Sequence, residues 1–137
     1  MKALALGLAL LVPVAAADAP PRQAAAPAAS EKGKAVFQQA CATCHMMDDS
    51  GVPNMQPSLD GGNKTVQGNP DVLIALVLKG AEGVLPAKRE RYVNQMPAFD
   101  TLADDEIAAV LTYVRSSFGN KAPAVTVKQV AAVRAKR

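Results

Sequence analysis

Apolar residues return at intervals of three and four in three stretches of this chain, and the polar residues between them mark where helices start and stop. Gly33, Val36, Phe37 and Ala40 share one helical face. Ser30 before them is a capping residue, and Glu31 puts an acid in the first turn, so a helix is expected to open at Glu31. Asn69-Pro70 is a second start, with a cap followed by proline at the first helical position. The run from Asp71 to Lys79 is apolar nearly all round and meets Gly80, which predicts a helix buried on more than one side. A third helix is expected to open at Thr101 with Asp104, Asp105 and Glu106 at its positive end. Ile107, Val110, Leu111, Val114 and Phe118 form its stripe, and Gly119 ends it. Thr126 and Gln129 stand at capping-box spacing, which predicts a short helix over 126–135. Segments 48–63 and 80–100 carry turn residues, and no alternating strand pattern occurs. The fold class is all-α.

The first seventeen residues show a different pattern. Lys2 is positive, Ala3 to Val12 is an uncharged apolar run, and Ala15-Ala16-Ala17 offers a cleavage site of the secretory type. The run is short for a membrane span, which needs about 20 residues, and Pro13 interrupts it. We therefore expect a signal peptide over 1–17, removed after Ala17, and a periplasmic protein; the alternative is a retained N-terminal anchor. Residues 18–29 hold three prolines and no periodic face, and read as a linker. A domain over 30–119 and a C-terminal extension over 120–137 complete the expected organisation.

Composition sharpens this picture. Half the residues count as hydrophobic, but only two Tyr, three Phe and no Trp are present. A chain so poor in large rings is expected to pack around something that is not protein. Two cysteines and one histidine cannot make a four-ligand zinc site of the Cys and His type. A net charge of +3 without clustered basic and aromatic residues excludes a nucleic-acid surface.

One segment carries chemistry: Cys41-Ala42-Thr43-Cys44-His45. Two thiols at this spacing, with histidine immediately after, match attachment of a c-type haem. Each thiol adds to one vinyl group, and the adjacent imidazole then reaches the iron. A thiol redox motif is the first rival, but it belongs in a βαβ context that this chain lacks. A structural disulfide is the second, and it gives His45 no role. As the only histidine, His45 needs a different partner on the iron. Met46 and Met47 come too soon after it, and Met55 falls in the same loop. Met96, in a segment stiffened by Pro97, has the chain length to reach the opposite face, and methionine is the soft ligand that raises a cytochrome's potential.

From Glu31 to Gly119 the chain resembles the class I monohaem c-type cytochromes. It is similar in particular to small cytochrome domains and subunits of periplasmic quinoprotein dehydrogenases, nitrite reductases and terminal oxidases. The resemblance rests on Cys41 to His45, on Pro57-Ser58-Leu59, on Met96-Pro97-Ala98-Phe99 and on Asp104 to Arg115. It implies a helical fold wrapped around one haem c bound through Cys41 and Cys44, with His45 and Met96 as metal ligands. It further implies that the Pro57 carbonyl accepts a hydrogen bond from the ligand imidazole and that Leu59 packs on the haem. Gly33, Phe37 and Tyr113 would form the crossing of first and last helices. Tyr92 and Asn94 are expected near a propionate or the methionine sulfur.

The function expected is one-electron transfer, not catalysis, either as a free carrier or as a subunit of a larger redox complex. The rival classes are a five-coordinate haem sensor or peroxidase-like enzyme and a thiol oxidoreductase. Partners are expected to be redox proteins, with no nucleic acid and no membrane insertion. The charges from Lys88 to Arg91 form either a solvated loop or a docking rim.

Overall fold

The computed structural model describes residues 26–88 and 92–136, with side chains from residue 31 onward. The expected leader, residues 18–25 of the linker and Arg89 to Arg91 lie outside the described residues. In chain order the helices are α1 (Ala26–Val36), α2 (Ala42–His45), α3 (Lys64–Gln67), α4 (Pro70–Lys79), α5 (Asp104–Ser116) and α6 (Val127–Arg134). Among the described residues there is no strand, only one antiparallel bridge between Val52 and Gln56. No helix among them is long and apolar enough to cross a membrane.

Boundaries differ from expectation at α1, α3 and α5, and α5 also ends at Ser116, short of Phe118 and Gly119. Helix α1 already includes Ala26, the first described residue, so Ser30 lies inside it and not at its start. Alanine has the strongest helix propensity, and Ala26, Ala28 and Ala29 stand directly before Ser30. Helix α5 starts at Asp104, not Thr101: Glu106 Oε2 accepts from the Ala103 N–H at 2.8 Å and closes its first turn. Helix α3 lies just beyond the 48–63 turn segment, where no element was expected, and is capped by Asn63 Oδ1, which accepts from Thr65 and Val66 N–H. By contrast, α4 starts after Asn69 and ends at Gly80, whose φ of 75° is a glycine conformation. Thr126 and Gln129 form the expected capping box on α6.

The core sits where α1 crosses α5. A Cβ on Gly33 would lie 2.3 Å from Ala109 O and 2.7 Å from Tyr113 Cβ, so glycine is required for the two backbones to approach this closely. Phe37, Tyr113 and Phe118 close the crossing, with ring centroids 5.4 to 5.6 Å apart. Ile74, Ile107 and Val130 are wholly inaccessible. Each such side chain contributes roughly 1.5–3 kcal/mol of transfer free energy, so the helical side carries its own hydrophobic stabilisation. Residues 120–136 share this core: Val125, Val130 and Val133 are buried, and Arg134 binds Asp104 Oδ1 and the Asp100 and Leu102 carbonyls. Buried Arg115 is satisfied by the carbonyls of Val66, Gly68 and Pro123.

Candidate functional site

Helix α1 does not stop at Val36. It passes through one π-helical turn, Phe37–Cys41, before the final turn α2. The wider turn shifts the helical phase of Cys44 and His45 beyond it, a feature common at functional sites. It leaves Cys41, Cys44 and His45 lining one cavity of about 380 Å³. That is within the range of roughly 300–1,000 Å³ for cofactor pockets. Met46 then takes a φ of 63°, which turns the chain sharply after His45. Leu59, Leu73, Leu76, Leu85 and Phe99 give the cavity an apolar wall, and Met96 enters it from the far loop. Met46, Met47 and Met55 do not line it and are 42%, 56% and 41% exposed.

Two groups in the wall, His45 and Cys41, are moved from their ordinary values chiefly by burial. Burial holds the His45 imidazole below its ordinary value, while Pro57 O and the Asp49 charge act the other way. His45 Nδ1 lies 3.0 Å from Pro57 O, and a carbonyl only accepts, so Nδ1 carries the proton and Nε2 keeps its lone pair. Burial, with the Cys44 charge second, pushes the Cys41 thiol up to about 11. A thiol so reluctant to ionise is poorly suited to thiolate exchange, which counts against the thiol oxidoreductase.

The loop that carries Pro57 and Leu59 is held by polar side chains. Asp49 is 3% exposed, and its Oδ1 accepts from the Leu59 N–H at 2.5 Å and from Ser58 Oγ at 3.3 Å. Burial raises its carboxyl, against those two donors. Asn120 Nδ2 donates to Leu59 O at 2.7 Å, and Asn63 Nδ2 to Ser58 O at 2.7 Å. Met96 is fixed differently. A Cβ at Gly80 would meet Met96 O at 2.8 Å, the Ala81 N–H donates to that same oxygen at 3.0 Å, and the Phe99 N–H reaches Val77 O at 2.7 Å. Tyr92 and Asn94 also line the cavity, but Asn94 Nδ2 spends a hydrogen bond on Gln56 Oε1. Sequence reasoning missed Asp49, Gln56, Asn63 and Asn120. Only Asn63, shortly before Thr65 and buried Val66, left a local signal as a cap.

The residues present fit a haem c. Two thiols, an imidazole with a free Nε2 and a thioether converge on one apolar cavity. The comparisons with known proteins agree. The cytochrome c family profile matches residues 30–118. The chain is 36% identical over 110 residues to the fructose dehydrogenase cytochrome subunit of Gluconobacter japonicus, covering 75% of this chain and 22% of that protein. It is 37% identical over 97 residues to the cytochrome c subunit of the quinone alcohol dehydrogenase of Gluconacetobacter polyoxogenes, covering 69% and 20%. With cytochrome c-552 of Thermus thermophilus it shares 33% identity over 95 residues, covering 67% and 64%. The chain thus spans about a fifth of the dehydrogenase subunits it matches. Since the profile takes in both loops around the cavity together with the α1–α5 crossing, the chain belongs to the cytochrome c family, whose members hold haem c covalently.

Proposed function

We propose that this protein carries single electrons in the periplasm through one haem c, held by Cys41 and Cys44 and ligated by His45 and Met96. The observation that carries the reading is the convergence of Met96, from a loop fifty-one residues downstream of His45, on the cavity that the two cysteines and His45 line. When bound, the haem supplies a reversible one-electron change at its iron. The protein's part is to bind and to tune. His45 presents Nε2 because Nδ1 is committed to Pro57 O. The Met96 thioether, a soft and weakly donating ligand, favours the ferrous state and so a high potential. Leu59 and its apolar neighbours exclude water and keep the local dielectric low. No general base or nucleophile is needed, so the protein is an electron carrier and not itself an enzyme. Residues 1–17 act as its export signal.

The test is an absorbance spectrum of the exported protein, oxidised and reduced, with its weak sulfur-to-iron band near the red end. Met96→Ala is expected to lose that band and lower the potential by on the order of 0.1 V, while covalent attachment survives. Met55→Ala is the control. If Met55→Ala loses the band and Met96→Ala keeps it, the ligand assignment is wrong. A second reading, a subunit of a larger dehydrogenase, is favoured by the names of the matched relatives. Purification with a fixed partner at constant stoichiometry distinguishes it from a free carrier. Redox proteins are the partners in either case.

A further inference from the structure

The two loops around the cavity are joined by a side chain that the function above does not use. Gln56 is only 8% exposed although it carries a polar amide. Its Nε2 donates to Cys44 O at 2.5 Å, and its Oε1 accepts from Asn94 Nδ2 at 2.8 Å. Beside it, the Val93 N–H reaches Asn54 O at 2.9 Å and the Asn94 N–H reaches Met55 O at 3.0 Å. Cys44 directly precedes His45, and Asn94 stands two residues before Met96. The side-chain bonds therefore run as one series of amide dipoles from the methionine loop to the histidine turn. Bonds aligned in this way strengthen one another.

The physical need for such a tie is plain from the loop itself. Val93 is 74% exposed, so burial of its side chain does little to hold this stretch down. Behind Met96, its carbonyl is anchored by the Ala81 N–H at 3.0 Å. Ahead of it, the Val93 and Asn94 N–H groups hold the loop to the Asn54 and Met55 carbonyls, and the Gln56 amide carries the tie onward to Cys44. An apolar side chain of similar length would fill the same space without linking the two segments. What the amide adds is direction, one donor toward Cys44 and one acceptor toward Asn94.

We propose that Gln56 is a positioning residue, a latch between the Met96 loop and the Cys44–His45 turn that sets how readily the methionine leaves the iron. The proposal rests on Met96 ligation as read above. Without the amide, the Cys44 carbonyl and the Asn94 side chain lose their partner together, and the tie between the two segments loses both of its part-buried hydrogen bonds.

The experiment uses the ferric holoprotein and tracks replacement of the methionine by cyanide, at saturating cyanide, through loss of the sulfur-to-iron band. Gln56→Leu is expected to exchange about tenfold faster than the native protein, the effect of losing roughly one buried hydrogen bond. Asn94→Ala removes only the outer bond at an exposed residue, and is expected to exchange several-fold faster. The double variant should be no faster than Gln56→Leu alone, because both act through one series of bonds. Thr112→Val, which severs two bonds to the Val125 backbone outside the cavity lining, should lower the melting temperature and leave exchange unchanged. That contrast separates a latch from general loosening. If Gln56→Leu yields no holoprotein, the Asn94→Ala rate decides alone. Unmoved rates with the band present overturn the latch and leave the ligand reading standing. A native protein without the band overturns the ligand reading and takes the latch with it.

Discussion

Gly33 and Gly80 both allow a close approach, yet they serve regions held by different forces. At Gly33 two helices meet, and a Cβ there would fall 2.3 Å from Ala109 O, among buried aliphatic and aromatic side chains. At Gly80 the backbone meets Met96 O, and what surrounds it is a set of hydrogen bonds between loops. The helical half is stabilised by apolar burial of its own. The loops carrying Pro57 and Met96 close instead over a cavity of about 380 Å³ and are held by Asp49, Gln56, Asn94 and Asn120. The helices are therefore held by burial of their own side chains, whereas the loops meet across the cavity and depend more on what fills it.

The largest test of this difference removes the cofactor's attachment. In a protein with both Cys41→Ala and Cys44→Ala, covalent haem should be absent on a haem-stained denaturing gel. Amide exchange should then lose protection through 46–63, 80–88 and 92–99, while the α1–α5 crossing keeps measurably more. Uniform loss across helices and loops would erase the distinction between the two halves. A smaller but still severe effect is expected on the helical side from Gly33→Val, since the added atoms meet Ala109 O and Tyr113 Cβ. A loss of about 4 kcal/mol or more is expected in denaturant unfolding of the holoprotein. The sulfur-to-iron band should persist in whatever fraction remains folded.

The smallest expected effect lies on the surface. Lys32 Nζ and Asp105 Oδ2 are 2.6 Å apart with both side chains well exposed, so the pair links α1 and α5 in water. The Lys32 hydrogen bond holds the Asp105 carboxyl below its ordinary value. A carboxyl whose value is lowered on folding stabilises above the unfolded carboxylate range, and that contribution is lost as pH falls through the folded value. Asp105→Asn should therefore shift the melting temperature of the holoprotein barely at neutral pH and not at all in strong acid. A shift rivalling that of Gly33→Val would mean that charge, not burial, holds the crossing.

Cys41, Cys44 and His45 were legible in the sequence because covalent spacing is a local property, and so were the Asn69 cap, the Gly80 stop and the Thr126–Gln129 box. The same local logic failed at Ser30, where alanine propensity upstream outweighed a good cap, and at Thr101, where Glu106 closed the turn later. Apolar periodicity was enough to place Ile107, Val110, Leu111 and Val114 on one face, since a helix repeats wherever it lies.

Gln56, Asp49 and Asn120 were not legible, because in a sequence each is an ordinary turn residue. Their partners stand six to sixty-one positions away, at Cys44, Asn94, Leu59 and Val114 among others. A polar side chain has no periodicity to announce it, and which carbonyl it meets is settled only when the loops close. Local order along the chain was enough for the helices, the attachment motif and the histidine, because each depends on neighbours a few positions away. Met96 was singled out in the sequence because the other methionines are badly placed. Its meeting with His45 in one cavity, and the choice of amides that hold the two loops together, came from the folded molecule. Those contacts exist only once segments far apart in the chain are brought within a few ångströms.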